Sequence, residues 1–274
     1  MDSLGIAAIL GIVEGLTEFL PVSSTGHLII AGHLLGFVGE KAASFEVAIQ
    51  LGAILAVVCL YWRRFTRLLP GQTQSLIRGR SALDGWSGLW RIGLATLPAL
   101  SVGYLARHTI KAQLFNPEAV TAALAVGGAA MLLVEKFNSK RAANYIDRVP
   151  SWQALGIGPF QILALGRGTS RAAATIIGGM LMGLDRKSAA EFSFLIAVPV
   201  LFAAGGYELL KMSDKFAPQD ALDLAVGFVV AFVVALFAIK GFIRFLERGK
   251  LTPFAWYRIV AAPIFYYLTR GLSL

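Results

Sequence analysis

The segment EGLTEFLPVSSTGH, residues 14–27, concentrates side chains that can do chemistry in an otherwise apolar stretch. Glu14 and Glu18 are four residues apart, which places them on one face of a helix. Two close carboxylates in a low-dielectric site do not both stay ionised unless a positive group joins them. A hard divalent cation, Mg²⁺ or Ca²⁺, binds carboxylate oxygens and meets this need. The pair therefore predicts a metal site, and the alternative is that both glutamates cap or hydrogen-bond the local turn.

A run of small polar residues follows Pro21, which ends the first helical arm: Ser23, Ser24, Thr25, Gly26 and His27. The free amides at the start of the next helix form an anion site, although one hydroxyl of the run can simply cap that helix. A serine three residues before His27 could act as nucleophile with the histidine as its base. Alternatively, His27 is a proton donor or is itself the nucleophile.

Two neighbouring patterns bear on the same region. His33 lies six residues after His27, so zinc is conceivable, but six is not a one-face helical spacing and we do not favour it. Glu46 and Gln50, again four residues apart, begin the next helix and could face the same cavity.

A second polar break, LGRGTSRAAAT at residues 165–175, carries positive charge instead of negative charge. Arg167 and Arg171 lie there in an apolar region, and glycines at 166 and 168 form a turn with exposed amides. Arginine beside such a turn at a helix start is typical of phosphate binding, and Ser170 and Thr175 add hydroxyl groups. The alternative is an arginine that pairs with Glu14 or Glu18 only for neutrality.

The elements that position these residues belong to a membrane. The 274 residues are 57% hydrophobic and 15% charged, against about 25% charged residues in soluble domains. We predict an all-α polytopic membrane protein forming a single domain over 1–274. Two regions, 4–37 and 152–184, are broken at their centres into arms too short to span, so we interpret them as re-entrant helical hairpins. Six further apolar runs are long enough to span, near 42–62, 88–106, 118–136, 188–210, 221–246 and 253–270.

The two hairpins are copies. A gapless shift of 147 residues aligns 11–49 with 158–196 and places Ser23 on Ser170; twelve of these 39 positions are identical. The repeats therefore cover about 4–136 and 152–270, each with one hairpin and three spanning helices. Because three is odd, the second repeat enters the membrane from the opposite face, as in transporters built from inverted repeats.

The basic residues indicate orientation. The net charge is +9, but the cations lie in short loops, which favours a membrane over nucleic acid as the partner. One side carries Arg63, Arg64, Arg67, Arg78, Arg80, Lys136, Lys140, Arg141, Arg148, Arg186, Lys187, Arg244, Arg248 and Lys250, whereas the other carries Lys41, Arg107, Lys111, Lys211, Lys215 and Arg270. The richer side is expected to be cytoplasmic, so the first hairpin opens outward.

Together the two breaks predict a site for a lipid phosphate or diphosphate. An anionic ligand binds glutamates through a metal and binds arginine directly, and phosphoryl transfer needs such charge neutralisation. A site at membrane depth indicates a substrate with a lipid tail. Hydrolysis of this lipid is our first hypothesis, and its transport by a flippase without hydrolysis is the second.

EGLTEFLPVSSTGH, the FEVAIQLGAILAV helix and SRAAATIIGGMLMG together resemble the bacterial undecaprenyl-diphosphate phosphatases of the bacitracin-resistance type, over essentially the whole chain. The resemblance implies hydrolysis of the terminal phosphate at the outer face of the cytoplasmic membrane, which recycles the lipid carrier for cell-wall synthesis. It also implies metal dependence through Glu14 and Glu18, catalytic roles for His27 and Ser24, and phosphate binding by Arg171 near Ser170 and Thr175. Membrane lipids and, as one option, a second copy of the chain are the other expected partners.

The second break departs from the family pattern, which is roughly Pro-Gly-x-Ser-Arg-Ser-Gly-x-Thr. Here Arg167 replaces the proline, Ala172 the second serine and Ala173 a glycine. The change removes one hydroxyl and one flexible backbone position and adds a cation, so we expect it to act on the turn geometry, the rate or the substrate preference.

Overall fold

The computed structural model describes residues 2–69, 81–106, 117–138, 145–166, 168–212 and 220–270. These ranges hold helices and connecting turns and no β-strand. Their eleven α-helices are α1 Ser3–Thr17, α2 Ser24–Leu34, α3 Glu40–Leu60, α4 Trp62–Arg67, α5 Gly85–Leu105, α6 Pro117–Asn138, α7 Ser151–Leu163, α8 Arg171–Leu181, α9 Arg186–Met212, α10 Ala221–Leu246 and α11 Thr252–Thr269. The prediction of an all-α polytopic membrane protein is confirmed.

Each predicted span coincides with one long helix, within about three residues at either end. Four of them, α3, α6, α9 and α10, are long and apolar enough to cross a membrane. The other two are α5 and α11, which have 21 and 18 residues and contain Arg91 and Arg258, respectively. At a rise of about 1.5 Å per residue, the 18 residues of α11 extend about 27 Å, close to the hydrocarbon thickness of about 30 Å.

The two hairpins are the short helix pairs α1–α2 and α7–α8, as predicted, and their backbones match at the 147-residue shift. Within the described residues, Ser23 and Ser170 are the non-glycine residues with positive φ, at 77° and 64°. Gly36 and Gly183, with φ of 67° and 97°, end the second arms. Identical residues therefore adopt the same rare conformations in both halves, which supports the interpretation of the hairpins as copies.

The repeats interlock instead of packing side by side. The first arm of each hairpin packs on the second long helix of the other repeat, α1 on α10 and α7 on α5. The second arms likewise cross over, α2 against α11 and α8 against α6. This exchange brings the breaks of both hairpins to the middle of one bundle, so the candidate site is assembled from both halves.

Small residues permit the closest of these contacts. Gly11 and Gly15 are four apart on α1 and face the backbone of α10. A Cβ atom on Gly11 would lie 2.6 Å from the Gly227 carbonyl oxygen, and one on Gly15 would lie 2.7 Å from that of Ala231. Such small-residue spacings allow membrane helices to approach each other. The approach fixes the arm that carries Glu14 and Glu18.

We expect Gly15→Ala to destabilise the protein, because the added methyl group forces α1 away from α10. Overpacking of this kind costs about 1–3 kcal/mol. The matched control is Gly241→Ala, since Gly241 lies on α10 and a Cβ atom added there would have nothing within 4 Å. Thermal unfolding in detergent should show a lower Tm for Gly15→Ala and an equal or higher Tm for the control. Equal midpoints for both variants would contradict this packing.

Candidate active site

The first break places a serine against a buried carboxylate. Helix α1 ends at Thr17, and the N–H of Glu18 still donates to the Glu14 carbonyl, so both glutamates stay on the helical register. Glu14 is 1% exposed and Glu18 is 6% exposed. The Ser24 hydroxyl donates to Glu18 Oε2 at 2.5 Å. A short bond of this kind to a carboxylate is charge-assisted and prepares the hydroxyl to lose its proton.

Arg171 of the second hairpin completes this arrangement from the other repeat. Its guanidinium lies 3.2 Å from Glu18 Oε1, and both side chains are largely buried. It also donates to the Ser193 carbonyl at 3.2 Å and lies over the Phe19 ring, 5.4 Å from the centroid. The ion pair joins the two breaks, so the acidic and basic halves predicted from the sequence do meet.

The helices that follow the two breaks, α2 and α8, are each preceded by a serine with a strained, positive-φ backbone. Ser170 caps α8, its hydroxyl accepting from the Ala173 N–H at 3.2 Å. Ser23 precedes α2 in the same conformation without a side-chain cap. Residues in sparsely populated backbone regions cost about 1–3 kcal/mol and concentrate at functional sites. The first amides of α2 and α8 have no partner inside their own helices and can bind an anion.

His27 is held by a different set of partners. Its Nδ1 lies 2.8 Å from the Ser23 carbonyl oxygen, which can only accept, so Nδ1 carries the proton. Nε2 lies 2.5 Å from the Tyr257 hydroxyl, and the two rings are stacked. Both ring nitrogens are thus occupied, and the carboxylate that binds the Ser24 hydroxyl is that of Glu18. The sequence hypothesis that pairs Ser24 with His27 has no such contact in the structure.

Glu14 suits a cation. Both of its carboxylate oxygens are buried without a hydrogen-bond partner, and the charges of Glu18, Glu46 and Arg171 act on it. Within the described ranges, no three His, Cys, Asp or Glu side chains are grouped to hold a metal. Mg²⁺ nevertheless binds through only one or two carboxylates, with substrate phosphates and water as its other ligands. The two glutamates fit an ion of that kind.

The remaining residues that the sequence analysis singled out lie around the site or outside it. The Thr175 hydroxyl donates to the Arg171 carbonyl at 2.8 Å and lies 2.5 Å from the Ser193 hydroxyl, fully buried. Thr25 is half-buried, and Gly26 is buried against Phe265. His33 is exposed, and the described residues provide no third ligand for zinc.

Ser193 was not predicted, although the repeat contains the signal for it. The 147-residue shift maps Glu46 onto Ser193. Glu46 acts on Glu14 in one half, and Ser193 binds Arg171 in the other. Equivalent positions of α3 and α9 therefore act on the charged residues of the two hairpins, Glu46 through its charge and Ser193 through a hydrogen bond.

Arg258 was also missed, although it is the single charged residue in the apolar run of α11. It is fully buried and donates to backbone carbonyls: that of Pro21 in the first break, those of Gly168 and Thr169 in the second, and those of Ala123 and Leu124 on α6. An ionisable residue at membrane depth is a functional candidate by default, so the sequence did contain this signal. A single side chain, Arg258, therefore hydrogen-bonds the backbone of both breaks.

Two of the altered positions of the second break contact polar side chains only through their backbone. Ala172 and Ala173 are 0% and 1% exposed and belong to the apolar core. Ala173 serves the Ser170 cap through its backbone N–H, which any residue other than proline supplies. Arg167 lies outside the described residues.

The fold and this site define a polytopic membrane protein whose two hairpins bring a serine, a carboxylate pair and an arginine together inside the helical bundle. The chain belongs to the family of the bacitracin resistance protein BacA, whose model matches residues 7–264. Similar proteins include one from Maridesulfovibrio salexigens, 58% identical over 96% of this chain and 98% of its own length. A protein from Nitratidesulfovibrio vulgaris is 55% identical over 97% of this chain and 98% of its own length. One from Solidesulfovibrio magneticus is 53% identical over 95% of this chain and 97% of its own length. All three are named undecaprenyl-diphosphatase.

We expect Arg258→Lys to loosen both breaks, because an ammonium with three donors at one point does not reach carbonyls that a guanidinium bridges. Each buried carbonyl left without a partner costs about 1–3 kcal/mol. Hydrogen–deuterium exchange should rise in peptides covering both 18–24 and 164–171. The control, Arg270→Lys, changes an exposed arginine at the end of the same helix. Wild-type protection in both breaks of Arg258→Lys would contradict the role given to Arg258.

Proposed function

We propose that this protein hydrolyses the terminal phosphate of undecaprenyl diphosphate and releases undecaprenyl phosphate. The observation that carries the proposal is the chain of contacts Ser24–Glu18–Arg171 across the two repeats. In the proposal these residues serve as nucleophile, base and phosphate-binding cation, respectively. The name shared by relatives at 53–58% identity supports the substrate.

The site offers positive charge where the terminal phosphate would bind. Arg171 holds Glu18 through one amino group, while its buried Nε has no hydrogen-bond partner and can donate to a phosphate oxygen. The amides at the start of α2, near Ser23, Thr25 and Gly26, are further donors. At the start of α8, Ser170 caps the Ala173 N–H, so the amides of Arg171 and Ala172 are the donors offered there. Preorganised donors of this kind stabilise the charge that develops during phosphoryl transfer.

In the proposed reaction, Ser24 Oγ forms a bond to the terminal phosphorus while its proton passes to Glu18. The bond from that phosphorus to the bridging oxygen breaks, and undecaprenyl phosphate leaves with the bonding electrons. Water then attacks the phosphoserine, Ser24 Oγ leaves and recovers a proton from Glu18, and inorganic phosphate departs. His27 and Tyr257 form a hydrogen-bonded pair that can pass a proton to the leaving phosphate, and the water that attacks the phosphoserine returns a proton to the pair.

Glu14, with Glu18 beside it, would hold a Mg²⁺ or Ca²⁺ ion together with substrate oxygens. When bound, the ion neutralises phosphate charge and satisfies the buried carboxylate oxygens of Glu14. A proton shared by Glu14 and Glu18 would also satisfy these oxygens. Loss of activity on adding a chelator would distinguish a bound metal ion from such a proton.

The proposed setting is the bacterial cytoplasmic membrane, with the site opening to the outer side. The excess of loop arginine and lysine on the opposite side supports this orientation. Release of undecaprenyl phosphate there returns the lipid carrier to cell-wall synthesis, and the family's association with bacitracin resistance accords with that role. The interlocked repeats favour one other function, transport of the same lipid without hydrolysis.

The test is phosphate release from undecaprenyl diphosphate by the purified protein in detergent. Ser24→Ala and Arg171→Ala should each lower kcat by about 10³-fold or more, since one removes the nucleophile and the other the main phosphate ligand. EDTA should abolish turnover, and added Mg²⁺ or Ca²⁺ should restore it. Thr96→Ala is the control, because this buried hydroxyl donates to its own helix at the Ile92 carbonyl.

Contrary outcomes separate the alternatives. Robust turnover by Ser24→Ala would exclude serine as the nucleophile and leave His27 or water. Turnover unaffected by EDTA would exclude the metal. No phosphate release from the wild type, together with movement of labelled lipid across vesicles, would support the flippase instead.

A further inference from the structure

A basic groove lies between α3 and α10, at the end of the bundle where loop arginines and lysines are in excess. Its volume is about 500 Å³, and ligand pockets in proteins typically measure about 300–1,000 Å³. Lys240 and Arg244 line it together with Tyr61 and the aliphatic side chains of Leu60, Ile239 and Ile243. The reaction proposed above makes no use of these residues.

The two cations of the groove have no carboxylate of their own. Lys240 and Arg244 are exposed and four residues apart, so they share one face of α10. At the same end, Arg64 pairs with a carboxylate of another segment, and Lys187 pairs with Glu247, which also lines the groove. Among the described residues, no carboxylate forms an ion pair with Lys240 or Arg244. Like charges at this spacing repel each other, so an anion bound between them is favourable.

The same face of α10 is apolar nearer the middle of the helix. Val233 is 42% exposed and Phe237 is 71% exposed. The steps from Val233 to Phe237, to Lys240 and to Arg244 are four, three and four residues, which is the spacing of one helix face. Exposed apolar side chains on a membrane-spanning helix contact lipid chains. This face therefore contacts lipid along its length and is cationic at its end.

Aromatic side chains indicate that the groove lies at the depth of the lipid head groups. Tyr61 lines it where α3 ends, and the adjacent Trp62 is 61% exposed. Tyrosine and tryptophan are enriched at the membrane–water interface. Lys240 lies six residues before the end of α10 at Leu246, about 9 Å along the helix axis. From there its long side chain reaches the same level.

We propose that this groove binds one anionic phospholipid, with its phosphate between Lys240 and Arg244 and an acyl chain along Val233 and Phe237. The proposed orientation places this end at the cytoplasmic leaflet, which is rich in anionic lipids, and basic pockets between membrane helices on that side bind such head groups. The Tyr61 hydroxyl can donate to a phosphate or glycerol oxygen. None of these residues belongs to the candidate active site, so lipid binding here is independent of phosphate release.

The bound lipid has a structural consequence, because α3 belongs to the first repeat and α10 to the second. A head group held between them contacts both halves of the molecule. A ligand that binds only the folded protein raises its stability. Anionic phospholipid should therefore raise the Tm of the protein, whereas a zwitterionic phospholipid should not.

The experiment compares the double variant Lys240→Gln, Arg244→Gln with the matched control Arg248→Gln, Lys250→Gln. The control removes two exposed cations at the same end of the protein that do not line the groove. Dioleoyl phosphatidylglycerol is the anionic probe and dioleoyl phosphatidylcholine the zwitterionic probe, each titrated into the full-length protein in detergent and counted by native mass spectrometry. We expect the first variant to bind phosphatidylglycerol about 30-fold more weakly than wild type, the combined effect of two cations at an anionic head group. Its affinity for phosphatidylcholine and its Tm without added lipid should match wild type, and the control should match wild type throughout.

Two outcomes of the titration would overturn the site. Equal affinity of the wild type for both lipids would exclude recognition of the head group. Equal losses in both double variants would show attraction by the surface charge alone. A photoactivatable phosphatidylglycerol should also crosslink to peptides covering 56–64 and 233–247 in the wild type. Crosslinks confined to other segments would overturn the site independently of the folding of any variant.

Discussion

The ion pair between Glu18 and Arg171 is the contact on which the rest of this molecule depends. Each charge lies almost fully buried in a bundle of apolar helices. An isolated buried charge costs several kcal/mol even after relaxation, and the loss of one partner leaves that cost on the other. Glu18 comes from the first repeat and Arg171 from the second, so neither hairpin has a satisfactory polar break by itself. The interlocked packing follows from the need to bring the breaks together.

The backbone at the breaks depends on a second arginine. A chain that leaves its helix at membrane depth exposes carbonyls that water does not reach, and these need partners within the protein. Arg258 supplies donors to both breaks at once, while Gly127 on α6 leaves room for its guanidinium, which a Cβ atom would overlap. The strained Ser23 and Ser170 persist because the surrounding contacts determine their positions. The Glu18–Arg171 ion pair and the hydrogen bonds from Arg258 to backbone carbonyls together fix the two breaks. Ser24, the two glutamates and Arg171 are thereby held in one place.

Much of this arrangement could be predicted from the sequence, because it is encoded locally. Hydrophobic runs predicted the long helices, polar breaks predicted the hairpins, and the 147-residue repeat predicted that acidic and basic halves belong to one site. Side-chain partners were harder, since they depend on contacts between distant segments. The short spacing in the sequence predicted that Ser24 pairs with His27. In the structure, His27 instead forms a hydrogen bond with Tyr257, 230 positions away. Arg258 satisfied the same criterion as Glu14 and Arg171, a charge in an apolar run, but its carbonyl partners are visible only in three dimensions.

The most direct test of this account is a double-mutant cycle on the ion pair, measured as thermal unfolding in detergent for Glu18→Gln, Arg171→Gln and the double variant. Each single change should lower the Tm, because it leaves an unpaired buried charge. The double variant should be no less stable than either single variant, with a coupling free energy of at least about 2 kcal/mol. Additive losses, with the double variant falling by the sum of the two, would contradict the claim that this pair joins the two repeats.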